Sequence, residues 1–385
     1  MKNKIDKKLK KNFRLLLLTS ILSGVSGTGF AATITCTPEA NGSYLPGNVI
    51  PSCNTVSAAT ITQPSTAGFY ILTRSRLYET LIVGNTDVTA NVTGGYGGIG
   101  NQYASGAAGA SISTGDLKFN VTSVNGGAIL GTHEVVNITT KNVDATLTAN
   151  YGGGNSSGGV AQYGLLTGST VSSGETLDTG EYSTITTMNL KLNQTTTGGS
   201  TTPILNNGIR AIQGATSNAT LPNGGRGTAG QVIVNGILDM TLTGNRSVGI
   251  YVSGNATNHG VATDRAPVFN ALTPKVILNN DAKIIINKGT GSSFTTWDSH
   301  GIKLGKVRYA GEGPGILESH GNLVIDTTNA LQGGGIKMLR NSILDASDSN
   351  ASTTIKTNGY ALEIGGHDDA ARNGFVLTYE QAASN

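Results

Sequence analysis

The chain has 385 residues, of which 13% are charged and 5% aromatic, with 55 glycines and only 9 prolines. That length admits one large domain or two or three ordinary ones, and the glycines follow no Gly-X-Y period, which excludes collagen. The formal charge of +3 sits at the start of the chain; beyond residue 31 there remain 19 basic against 22 acidic residues, a net of −3 that excludes a basic nucleic-acid-binding surface.

Residues 1–31 read as a secretory signal peptide. Seven basic residues between Lys2 and Arg14 precede an apolar run, Leu15 to Leu22, and small residues at Gly29 and Ala31 place the cut between Ala31 and Ala32. The run is too short to stay in a membrane as a span. Residues 32–68 read as an N-terminal cap: four prolines (Pro38, Pro46, Pro51, Pro64) and the only two cysteines, Cys36 and Cys53, fall there. An exported chain meets an oxidising compartment, so a Cys36–Cys53 disulfide is expected, closing a loop worth roughly 3 kcal/mol.

From residue 69 to 385 the pattern is repetitive. Phe69 to Leu72 and Leu81 to Val83 begin it, followed by Val88, Ala90 and Val92; Gly- and Ser-rich loops at 94–110 and 152–159 interrupt a looser N-terminal half. The clearest unit is Gln231 to Gly254. It holds three alternating apolar pairs, Val232 with Val234, Met240 with Leu242, and Ile250 with Val252, each ending at a turn former. Period two means strand, and three strands in so short a unit bury nothing without copies of themselves.

Copies follow. One has Val276 with Leu278, Ile284 with Ile286, then Gly301, Ile302 and Leu304; the next has Ile316, Leu323 with Ile325, then Gly335, Ile336 and Met338. A fourth runs Ile343, Ile355, Ala361, Leu362 and Ile364, and upstream Leu190 and Leu192 lead to Gly208, Ile209 and Ala211. The Gly or Ala before each third strand falls at 208, 249, 301, 335 and 361, at intervals of 41, 52, 34 and 26 residues. Copies with insertions between strands (196–203, 215–230, 255–273, 305–314) predict an all-β solenoid with about three strands per coil. About eight coils at a strand spacing of about 4.8 Å give a rod of roughly 40 Å.

The basic-rich signal peptide, the Gly-, Thr- and Asn-rich three-stranded coils and the Gly-Ile-x-aliphatic third strands resemble the passenger domains of autotransporters. The resemblance implies a right-handed single-stranded parallel β-helix of pectin-lyase-like architecture. It further implies Sec-dependent export and display at, or release from, a Gram-negative surface through a C-terminal outer-membrane β-barrel. This chain shows no succession of about ten-residue alternating strands with aromatic girdles, so 69–385 reads as a passenger fragment lacking that barrel. The implied function is a non-enzymatic adhesive or binding scaffold whose partner is a host or bacterial surface protein or glycan.

Catalytic chemistry finds little support in the residues. Gly154-Asn155-Ser156-Ser157-Gly158 matches Gly-x-Ser-x-Gly, but in a glycine-rich loop rather than a strand-to-helix elbow, and Gly-Asp-Ser-Gly is missing. The alternative function is that of a β-helical lyase or hydrolase of acidic polysaccharides, which needs clustered carboxylates. Its candidates are Asp298 beside His300, Glu318 beside His320, Asp326, Asp345 with Asp348, and Asp368 and Asp369 beside His367. A purely structural stalk is the third class. Asp345, Asp348 and Asn350 lack the Gly and Glu of a calcium loop, so no metal and no cofactor are expected. Tyr251, Tyr309, Tyr360 and Trp297 lie at or beside third strands, and Tyr251 should face outward between Ile250 and Val252, where such a ring stacks on a sugar or a protein.

Overall fold

The computed structural model describes residues 32–33, 59–63, 69–73, 80–82, 88–93, 97–101, 110–123, 128–131, 136–151, 161–167, 182–198, 205–215, 226–255, 273–290, 299–305, 312–339, 342–364 and 376–379, with side chains described between 113 and 364. All of these lie in one unit, Ala32–Asn385. Among them the structure is strand and turn, and no helix is long and apolar enough to cross a membrane.

The unit around Gln231 shows the plan. Its three strands are Arg226–Val234, Leu238–Thr243 and Ser247–Asn255. Each joins a different sheet and pairs in parallel with its equivalents before and after it. Arg226–Val234 lies between Tyr182–Thr187 and Lys275–Leu278 in the first sheet. Leu238–Thr243 lies between Leu190–Gly198 and Ala282–Asn287 in the second. Ser247–Asn255 lies between Leu205–Ala215 and Ser299–Leu304 in the third. The chain is therefore all-β, with three parallel sheets of stacked strands, as in a parallel β-solenoid.

Register confirms the spacing expected for the third strands. Ile209 pairs with Ile250, Ile250 with Ile302, Ile302 with Ile336 and Ile336 with Leu362, one residue beyond each small residue singled out above. The second sheet stacks Leu192, Met240, Ile284, Ile325 and Ile355. The first stacks Ile138, Ile185, Val232, Val276, Leu317 and Leu344. Nearly all of these are buried, and burying one such side chain stabilises by roughly 2 kcal/mol. Leu238 is also inward, so the buried face of Leu238–Thr243 is three residues deep rather than two.

Two expected core residues face the other way. Ile316 and Ile343 are only partly buried, while their neighbours Leu317 and Leu344 lie inside. With Ile316 inward, period two would also put Glu318 inside; with Ile343 inward, it would do the same to Asp345. A buried carboxylate costs far more than an exposed isoleucine, so the strands settle in the opposite phase.

The glycines before the third strands mark a close approach. A Cβ at Gly208 would lie 2.1 Å from Met240 Sδ, at Gly249 2.5 Å from Ile284 Cγ2, at Gly301 2.2 Å from Ile325 Cγ2 and at Gly335 2.5 Å from Ile355 Cγ2. The inward side chain of each second-sheet strand thus occupies the space where a Cβ would stand. Only Gly lets the third strand come so near.

Ala59–Gln63, inside the stretch read as a cap, is itself a strand and pairs in parallel with Val88–Val92 of the second sheet. Ala32 opens the short strand Ala32–Thr33, paired with Ala59 and Thr60. Ala31, Cys36 and Cys53 lie outside the described residues.

Candidate functional site

The three corners of the fold differ. Most turns from the first to the second sheet are short, 140–142, 188–189, 235–237, 279–281 and 320–322, while 347–352 has six residues. Connections from the third sheet back to the first run long in three successive coils, over 168–181, 216–225 and 256–274, against four residues at 132–135 and 339–342. Two of these connections begin or end in described antiparallel pairing. Leu205–Ala215 and Arg226–Val234 pair as hairpin arms at Gln213 with Ala229 and Ala215 with Arg226. Glu312–Gly313 runs antiparallel to Gly254 and Asn255. A stacked sheet edge tolerates such insertions because closure entropy grows slowly with loop length.

Beside this corner, the outer surface of the third sheet carries an in-register row: Arg210, Tyr251, Lys303, Lys337 and Glu363. Arg210, Tyr251, Lys303 and Lys337 each follow a buried Ile, and Glu363 stands in register with Lys337, so the row lies on the face away from the core. The Arg210 guanidinium lies 5.5 Å from the centre of the Tyr251 ring, a cation–π contact. Burial pulls the Arg210 pKa below its ordinary value. Lys337 Nζ is 2.7 Å from Glu363 Oε1, and His300 Nε2 is 3.6 Å from Glu363 Oε2. The His300 ring lies over Gly334, where a Cβ would meet His300 Cδ2 at 2.7 Å. This row puts three cations, a histidine and an aromatic ring beside the corner that carries the long connections. Much of the row is answered from within: His300 is buried, and Glu363 pairs with both Lys337 and His300.

Tyr251 faces outward as expected, yet it is only 8% exposed and packs with Ile212 and Val248 in a small apolar cluster outside the main core. The open stacking platform read from the alternation is thus a covered one. Tyr360, by contrast, is 77% exposed. Tyr309, Trp297, Asp298, Ser156, His367, Asp368 and Asp369 lie outside the described residues.

The remaining acids are spread among turns and cross-strand pairs. Asp326 Oδ1 accepts bonds from the Thr328 hydroxyl (2.6 Å) and backbone N–H (3.1 Å), and these hold its carboxyl below the usual range. Asp345 Oδ1 accepts from Ser347 Oγ at 2.6 Å, and Asp348 Oδ1 from the Asn350 N–H at 2.9 Å. Glu318 sits 3.9 Å from Lys275 and registers with Asp345 on the first sheet. His320 is exposed in its turn. Among the described residues no three His, Cys, Asp or Glu side chains are grouped to hold a metal ion.

The row through Arg210, Lys303, Lys337 and Glu363 was not singled out in the sequence. Its signal was present, one residue past each Ile or Leu of the third strands. No protein-family model, curated protein or solved structure matches the chain.

Proposed function

We propose that the chain carries the passenger region of an autotransporter, a right-handed parallel β-helix exported and displayed at, or released from, a Gram-negative cell surface. It acts there as a non-enzymatic adhesive scaffold that binds a host or bacterial surface protein or glycan. One observation carries this reading: the long connections 168–181, 216–225 and 256–274 leave the same corner in successive coils, beside the Arg210–Lys337 row, while the turns between the first and second sheets in those coils are two or three residues long. A rigid ladder whose longest insertions leave one corner in successive coils is a scaffold for presenting loops.

The test is to replace 256–274 with a short Asn-Gly turn and to probe arrayed glycans and extracellular-matrix proteins with both forms. The reading expects the shortened protein to keep its far-ultraviolet circular dichroism and melting temperature and to lose binding. Unchanged binding after shortening both 256–274 and 216–225 would overturn it. Release of oligosaccharides from pectate by the unaltered chain would instead favour an enzyme.

A further inference from the structure

The second sheet offers a different surface, independent of the adhesive reading. Four consecutive strands present three outward residues each. Leu117–Ser123 shows Lys118, Asn120 and Thr122; Val143–Tyr151 shows Asp144, Thr146 and Thr148. Leu190–Gly198 shows Lys191, Asn193 and Thr195; Leu238–Thr243 shows Asp239, Thr241 and Thr243. The register places these in three straight columns, Lys-Asp-Lys-Asp, Asn-Thr-Asn-Thr and four threonines. All twelve are exposed or half-exposed. Across these four strands only two kinds of rung occur, and they alternate; the next strand, Ala282–Asn287, adds Lys283 to the first column but Ile285 and Asn287 to the others.

An alternating column is complementary to itself when reversed about a point between two rungs. We propose that this face is a self-association surface, on which a second copy of the chain packs antiparallel. The two-fold axis runs along the strands, between Val143–Tyr151 and Leu190–Gly198. Lys118 then faces Asp239 of the second copy, and Asp144 faces its Lys191. Asn120 faces Thr241, Thr146 faces Asn193, and the threonines face one another. An axis through a rung would instead set Lys191 against itself. Parallel solenoids would set the charged column against threonines. Charge complementarity therefore selects the antiparallel sense. An axis one rung on, between the strands of Lys191 and Asp239, would also oppose charges, Asp144 with Lys283, but it sets Thr146 against Ile285. In it, mixed Asp144→Lys and Lys191→Asp chains would keep a lysine facing Lys283. A surface recognising itself this way is isologous, the commonest form of homodimer.

Beside these four strands the border with the first sheet has turns of only two or three residues, 114–116, 140–142, 188–189 and 235–237. That border also carries exposed Met188 and Ile237 at 47% and 54%, an apolar rim beside the polar columns. Four rungs at about 4.8 Å make a contact roughly 15–20 Å long. A polar contact of that size is weak in solution and strong in arrays, where many copies meet at once.

Within one chain, Lys191 Nζ also lies 3.4 Å from Asp144 Oδ2, so alternation has an intramolecular use as well. The experiment separates the two. Sedimentation equilibrium of the full chain is run at low salt and at about 0.5 M salt, where the screening length falls to a few ångström. The chain is expected to self-associate at low salt, and at least about ten-fold more weakly at high salt. Asp144→Lys and Lys191→Asp each set like charges face to face, so each alone should be monomeric while keeping the wild-type circular dichroism. Mixed one to one, they restore every opposed pair and should associate again. A wild-type chain that stays monomeric at low salt overturns the proposal. So do single variants that associate like wild type, or a mixture that stays monomeric.

Discussion

Gly301 and Ile325 meet inside the solenoid so closely that a Cβ on the glycine would lie 2.2 Å from Ile325 Cγ2. They belong to the third and second strands of successive coils, and the contact is one of four of the same kind. Gly301→Ala must push either Ile325 or the backbone at Gly335, whose carbonyl oxygen would stand 3.1 Å from the new carbon. Overpacking of this sort costs about 1–3 kcal/mol. Urea unfolding should show that loss. Combining the change with Ile325→Ala should destabilise by less than the two single losses added, because the second removes the atom the first strikes.

A ladder of amides runs along the first-to-second turns. Asn142 Nδ2 donates to Asp116 Oδ1 at 2.9 Å, Asn189 Nδ2 to Asn142 Oδ1 at 2.7 Å, Asn322 Nδ2 to Asp281 Oδ1 at 3.0 Å, and Ser352 Oγ to Asn322 Oδ1 at 2.9 Å. Aspartate, which only accepts, begins each run. Ile237 occupies the rung between them; its N–H already reaches Asn189 Oδ1 at 2.7 Å, and its side chain is 54% exposed. Ile237→Asn supplies the missing amide and removes an exposed apolar group. A gain of about 0.5–1.5 kcal/mol is expected in chemical denaturation. An unchanged or lowered midpoint would show that the ladder adds nothing to stability.

These two contacts mark what a single sequence makes legible. Spacing of Gly-Ile pairs predicted the third-sheet register, because a residue needed at every coil repeats at every coil. The phase of Ile316 and Ile343 was misread because each stands beside a leucine and period two alone cannot choose between neighbours. Glu318 and Asp345, two residues on, held the answer. The His300–Glu363 pair and the Tyr251 cluster were not legible, since they join residues from different coils and depend on what packs over the sheet rather than on alternation within one strand.

Asp326 gives a pH prediction with a definite sign. Thr328's hydroxyl, its backbone N–H and, more weakly, Lys356 and Lys283 depress the carboxyl's pKa in the folded protein. A depressed folded pKa contributes stability above the ordinary aspartate value of about 4, and that contribution is lost as pH falls through the folded pKa. Thr328→Val keeps the shape and removes the hydroxyl. The stability gap between wild type and this variant should stay constant above about pH 5 and narrow as acid protonates Asp326. A gap that holds constant down to about pH 2 would remove Asp326 as its source.

The covered position of Tyr251 makes a last distinction measurable. If the ring served an external ligand as an open platform, Tyr251→Ala would abolish binding and leave the melting temperature alone. In the structure the ring is 8% exposed, packs on Ile212 and Val248 and receives the Arg210 guanidinium at 5.5 Å. Removing it opens a cavity and strips a half-buried cation of its aromatic partner. Tyr251→Ala should therefore cost about 3–5 kcal/mol, as for other buried aromatics, and Arg210→Met about 1 kcal/mol. Tyr251→Phe keeps the ring face and should cost much less than Tyr251→Ala. Melting curves of the three variants decide the matter, since a purely ligand-facing tyrosine predicts three unshifted curves.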